Sequence, residues 1–224
     1  MKTNPRIYAG IFLTSMSVLT LELALTRVFS ATMYYHFAFL AISVALFGAG
    51  ASGVAVFLLD ERLRRRPTEV LLAVFTLAFA AGVVVALVAV LTNPLSTSPW
   101  KSNFWSIALI YVSTAIPFVF AGCAITLAIT RYARDASRIY LFDLAGAAAG
   151  CLLLIPLLNL LGGVNGILFI AVLAAVSAIV FSLGSKRLTI LSAVAAAALS
   201  IFMAVNLPDR HARHSLGERP EDHR

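Results

Sequence analysis

Charge is what this sequence has least of. Only 12% of its 224 residues are Asp, Glu, Lys or Arg, against 61% hydrophobic residues, and the mean hydropathy is +0.95. A soluble domain carries about 25% charged residues, so this balance excludes an ordinary water-soluble fold and leaves the bilayer as solvent. Acidic residues are the scarcer sign, 10 against 17 basic ones. The resulting net charge of +7 does not point to nucleic acid, because the basic residues sit in short loops between apolar runs, where they report topology. The two cysteines, Cys123 and Cys151, fall inside apolar segments without metal-ligand spacing and read as small buried hydrophobes. Catalytic signatures are missing as well. The chain has no Gly-x-Ser-x-Gly, no His-Glu-x-x-His and no Walker loop, and no lysine falls in a span to hold retinal. We read it as a non-enzyme with no cofactor and no metal site.

What is present is a series of apolar runs. Counting about 20 residues per crossing, seven spans are expected, at 7–29, 34–59, 70–91, 105–130, 139–161, 167–183 and 188–207. The fold class is therefore an all-α polytopic membrane helix bundle over 1–207, followed by a charged tail over 208–224 whose composition reads as mobile. Its histidines, His211, His214 and His223, fit no zinc spacing. The first run follows Lys2 and Arg6 and is too long for a signal peptide, with no Ala-x-Ala-like cleavage site, so it is expected to stay as the first helix. Asn93-Pro94 and Ser98-Pro99, flanked by Trp100 and Trp105, mark a loop at an interface. Pro117 marks a possible kink in the fourth span, and Gly162-Gly163-Val164-Asn165-Gly166 a turn between the fifth and sixth. Lys2, Arg6, Arg62, Arg64, Arg65, Arg66, Arg131, Arg134, Arg138, Lys186 and Arg187 fall on one side, and among the opposite loops only Lys101. The positive-inside bias places the N-terminus in the cytoplasm, with the chain expected as a multi-pass protein of an inner (cytoplasmic) membrane.

Ionisable residues inside a span are expensive and raise a functional hypothesis. Glu22 lies about 15 residues into an outward-running helix, roughly 22 Å from its start, in the outer half of the bilayer. Arg27, Tyr34, Tyr35 and His36 fall at the same outer surface and can form one polar cluster with it, in which Glu22 takes a cation, a proton or a polar headgroup. The plainer reading has Glu22 bonded to hydroxyls of neighbouring helices, Arg27 snorkelling to headgroups and the tyrosines in an aromatic belt. Ser15, Glu22 and Thr26 share a helix face, whereas Glu22 and Arg27 stand about 140° apart on theirs. Asp143, a possible second polar site, is expected about four residues into the fifth helix near the cytoplasmic surface, where the helix N-terminus and Arg131, Arg134 or Arg138 favour its charge. Ala49 with Gly53, and Gly146 with Gly150, form small-xxx-small faces for close helix packing.

Four stretches carry a resemblance. Leu21-Glu22-Leu23-Ala24-Leu25-Thr26-Arg27-Val28-Phe29-Ser30, Tyr35-His36-Phe37-Ala38-Phe39 with Gly48-Ala49-Gly50-Ala51-Ser52-Gly53, and Tyr140-Leu141-Phe142-Asp143-Leu144-Ala145-Gly146-Ala147-Ala148-Ala149-Gly150 resemble the membrane portion of bacterial spermidine-synthase-like membrane proteins over most of residues 7 to 183. In that family a helical membrane region is often joined to a Rossmann-like aminopropyltransferase or methyltransferase-like domain. This chain departs from the plan: only 17 residues follow Leu207, and no Gly-rich nucleotide loop follows a strand. No catalytic residue carries over. The resemblance then implies a membrane module whose soluble partner domain is separate or absent.

Two function classes follow, with the lipid bilayer as common partner and nucleic acid excluded. One is an accessory or anchor subunit that uses its Gly/Ala faces to meet other membrane subunits or a homo-oligomer. The other is a small transporter or binding protein for a cationic, polyamine-like molecule held by Glu22. A lipid- or quinone-site protein built on Arg27, Tyr34, Tyr35 and His36 is a third. No inverted repeats of the kind that build many transporters are visible.

Overall fold

The computed structural model describes residues 4–32, 38–93 and 100–206. Tyr34, Tyr35, His36, the loop prolines Pro94 and Pro99, and the tail over 208–224 lie outside them. Among the described residues every regular element is helical: α1 (Pro5–Thr32), α2 (Ala38–Leu58), the short α3 (Asp60–Arg64), α4 (Thr68–Thr92), α5 (Trp100–Arg131), a 3-10 turn (Ala133–Asp135), α6 (Ala136–Ser182) and α7 (Lys186–Val205). Local chemistry sets several ends. Asn4 caps α1, its Oδ1 accepting from the Arg6 N–H at 3.2 Å. Pro67, with φ −58° and ψ 136°, stops α3 from running into α4. Asn93 closes α4 by donating from Nδ2 to the Ala89 carbonyl at 3.0 Å.

Six helices are long and apolar enough to cross a membrane. One of them, α6, has 47 residues, about 70 Å if straight and more than twice a hydrocarbon core of about 30 Å. It does not run straight. Gly162 holds φ 76° and ψ −178°, a region open only to glycine, and the chain reverses there. Along the first arm, 136–161, contacts with α1 climb together: Gly146 meets Phe12, and Gly150 meets Met16 and Thr20. Along the second arm, 163–182, they descend: Gly163 lies by Val28, Ser177 bonds at Thr14 and Gly10, and Phe181 packs on Gly10. The first arm is therefore parallel to α1 and the second antiparallel, which gives seven crossings from six helices. The predicted turn cluster contracts to one residue, since Gly163, Asn165 and Gly166 are already helical.

The bundle is organised around α1, which packs along both arms of α6 and also touches α2 and α5. Ile11, Leu21, Ala24, Leu25 and Phe29 are fully or almost fully buried. α2 is peripheral, packed on α5 and α1, with Phe39, Leu46, Phe57 and Leu58 turned outward. α4 fills the space between α5 and α6. Pro117 leaves α5 a single helix. Its backbone instead receives α4 closely, for a Cβ on Gly82 would lie 3.2 Å from it. α7 is the thinnest attachment, held on the second arm of α6, with Ile190, Val194, Ile201 and Val205 exposed.

Two expectations about small residues need correction. The α2–α5 contact runs through Gly48 against Phe118 and through Ala49 and Ser52 against Gly122, whereas Gly53 faces open space. A Cβ on Gly53 would meet nothing within 4 Å. Every position from 48 to 53 is small, so the composition allows several registers, and the bulk of Phe118 selects one. Cys151, read from sequence as buried, is exposed, while Cys123 is buried.

Candidate functional site

The polar groups within the spans converge on α1. Thr14, Ser15, Ser17 and Thr20 are buried on it although a bilayer offers them no water. Their first partners are local. Thr14 Oγ1 donates to the Gly10 carbonyl at 2.8 Å, Ser17 Oγ to Leu13 at 2.8 Å and Thr20 Oγ1 to Met16 at 2.6 Å, the i−4 pattern open to Ser and Thr in helices.

Three contacts then tie α1 to α6. Ser177 Oγ lies 2.8 Å from both Thr14 Oγ1 and the Gly10 carbonyl. Two hydroxyl protons serve three contacts there, so two bonds form at a time. Thr20 Oγ1 also reaches the Gly150 carbonyl at 3.2 Å. Third, Ser15 Oγ donates to Asp143 Oδ1. Between these contacts Gly146 and Gly150 let the backbones close up. A Cβ on Gly146 would overlap the Phe12 carbonyl, and one on Gly150 would stand 2.6 Å from the Met16 carbonyl oxygen. Tyr8 stacks on Phe142 beside them, ring centroids 5.1 Å apart.

This geometry corrects the placement of Asp143. α6 begins at Ala136, so Asp143 lies seven residues, about 10 Å, inside it, deeper than expected. Among the described residues its partner is Ser15 of α1, not Arg131, Arg134 or Arg138. Periodicity could not reveal this, because the two residues stand 128 positions apart. The Ser15, Glu22 and Thr26 face also divides: Ser15 serves Asp143, while Thr26 Oγ1 donates to the Glu22 backbone carbonyl at 2.8 Å.

Glu22 is partly buried and Arg27 is exposed. Among the described residues neither side chain bonds the other, as their angular separation on α1 requires. Tyr34, Tyr35 and His36, the remaining members of the expected outer cluster, lie outside the described residues. The Glu22 carboxylate has no hydrogen-bond partner among the described residues.

At the opposite, arginine-bearing face, Tyr132 joins α5 to the 3-10 turn. Burial first, and the Glu69 carboxylate second, raise its phenol above the ordinary value of 10.0. Arg6, Glu69 and Gly184 line a small recess on the same face.

Comparison with protein-family models, with curated proteins and with solved structures finds no match. The class is set by the chain's own physics. Six apolar helices, with no strand among the described residues, define an all-α polytopic membrane protein.

Proposed function

We propose that this chain is a non-catalytic membrane module, an accessory or anchor subunit of a larger complex in a bacterial inner membrane, similar in plan to the membrane part of spermidine-synthase-like proteins. The observation that carries this reading is the α1–α6 seam. Its hydroxyls and Asp143 are engaged with one another, and its glycines press backbone against backbone. A carrier that alternates access rocks one group of helices against another around a midplane site, and a seam closed by backbone contact resists such parting. The outward apolar surfaces of α2 and α7 suit lipid and neighbouring subunits, α7 most of all because so little of it is covered from within.

The test is extraction from the native membrane in mild detergent, followed by mass spectrometry of what accompanies the chain at fixed stoichiometry. A constant set of larger subunits, lost on Val194→Trp or Ile201→Trp in α7, is the expected result. Recovery as a monomer or homo-oligomer alone refutes it. A second reading, a binding or transport protein for a small polyamine-like cation, is supported by the partly buried, unbonded carboxylate of Glu22. Under it, Glu22→Gln abolishes a cation response at normal expression.

A further inference from the structure

The arginines between the spans serve as topology signals in the sequence, but two of them enter a cavity. Near the arginine-bearing ends of α2 and α5, a space of about 630 Å³ is lined by Gly53, Val56, Phe57, Arg64, Thr130 and Arg131, with Asp60 and Thr126 completing it. That volume falls within the roughly 300–1,000 Å³ of small-molecule sites.

Its polar chemistry is cationic and incompletely satisfied. Asp60 accepts from Arg64 Nε at 2.8 Å, which neutralises the carboxylate and leaves the outer nitrogens of Arg64 to other partners. The two guanidinium groups against one carboxylate give the lining a net charge of +1. Arg131 Nη2 is buried and has no hydrogen-bond partner among the described residues, a costly state for a charged donor. The Thr126 hydroxyl likewise has none among the described residues. Thr130 Oγ1 points its proton at the Thr126 and Leu127 carbonyls, 3.0 and 3.1 Å away. The lining is also divided by depth. Val56, Phe57 and Gly53 lie on the α2 side, where Phe57 is 80% exposed, while the guanidinium groups stand at the interface.

We propose that this cavity binds a phosphate-bearing anion, with Arg131 and Arg64 as guanidinium donors and Thr126 as a hydroxyl donor. Arginine matches phosphate geometry through its planar fork, and basic pockets between transmembrane helices suit lipid headgroups. The same chemistry fits a lipid phosphate, whose acyl chain would follow Phe57, or a soluble phosphorylated molecule. The apolar half of the lining favours the lipid.

The test uses the purified full chain in neutral detergent. Retained phospholipid is counted by native mass spectrometry after exposure to phosphatidylglycerol, and again in competition with inorganic phosphate. The wild type should retain phosphatidylglycerol, and Arg131→Gln should weaken retention roughly tenfold or more, the loss of a charge-assisted hydrogen bond. Arg134→Gln, an equal charge change at an exposed residue outside the lining, should change it little. Gly53→Leu keeps the proposal testable if Arg131→Gln fails to fold, because a side chain there enters open space and should block the cavity. Retention that inorganic phosphate cannot displace identifies a lipid occupant. Displacement, or protection by phosphate alone, identifies a soluble one. Equal losses in Arg131→Gln and Arg134→Gln, retention unaffected by Gly53→Leu, or binding of neither phosphate source by the wild type overturns the site.

Discussion

Gly146→Ala adds a single methyl group at the tightest part of the α1–α6 seam. Its Cβ would overlap the Phe12 carbonyl oxygen and stand 2.9 Å from the carbonyl carbon and 3.0 Å from Cα. Carbon–carbon contacts are optimal near 3.5–4.0 Å, so the helices must separate by roughly 0.5–1 Å, a gap that forfeits a quarter to a half of each dispersion contact. The obstacle is backbone on both sides and cannot rotate away, which places the cost near the top of the roughly 1–3 kcal/mol range for overpacking. Alanine's better helix propensity offsets up to about 1 kcal/mol, leaving a net loss of about 2 kcal/mol. Gly50→Ala is the control: nothing lies within 4 Å of its Cβ, so it should gain up to about 1 kcal/mol from propensity alone. The two variants thus differ by about 3 kcal/mol, or roughly 6–12 °C at 2–4 °C per kcal/mol. Buried Cys123 supplies the assay. In a Cys151→Ser background, a thiol-reactive dye reports unfolding as Cys123 becomes accessible. A Gly146→Ala melting point equal to or above that of Gly50→Ala refutes the close-seam argument.

Ser15→Ala and Asp143→Asn should each destabilise the bundle by roughly 0.5–2 kcal/mol, the range for intramembrane hydrogen bonds. Their effects should be less than additive in a double-mutant cycle, and full additivity would mean that the two do not interact. Gly162→Ala should lower stability by about 1–3 kcal/mol, because alanine is strained at φ 76°; an unchanged melting point would mean that the arms reverse some other way. Tyr132 predicts an alkaline dependence. Its folded pKa is raised, so its contribution is complete below the ordinary value of about 10 and fades as pH climbs from there through the folded value. Tyr132→Phe should flatten the loss of thermal stability above pH ~10, and an identical alkaline profile would refute this. Under the subunit reading, Glu22→Gln leaves thermal stability and partner recovery unchanged; loss of a cation response would favour the second reading.

The spans were legible because apolar runs and arginine-bearing loops alternate, and both follow from the cost of placing charge in hydrocarbon. The reversal at Gly162 was legible as a turn, though its economy was not, since a five-residue cluster suggests a loop where one positive-φ glycine suffices. Depth failed for Asp143 because the helix start was placed at Ile139 rather than Ala136. The Ser15–Asp143 bond and the Gly48–Ser52 register failed for another reason: each depends on what faces the residue from a distant helix. Arg131 illustrates the same limit, since a basic residue beside a span looks like a topology signal until its buried, unbonded nitrogen is seen.

The α1–α6 seam also bears on how the chain is made. α1 is synthesised before α6: Asp143 follows Ser15 by 128 residues and Ser177 follows Thr14 by 163. At roughly 5–20 residues per second, Ser15 waits about 6–26 s in the membrane for its carboxylate. Thr14, Ser17 and Thr20 bond their own helix's carbonyls, so α1 can enter lipid with these hydroxyls satisfied and keep the bonds once α6 arrives, while Ser15 waits for Asp143. A ribosome stalled before α6 emerges would therefore leave Ser15, and the glycine-lined side of α1 that α6 covers, facing lipid or whatever else meets the nascent chain.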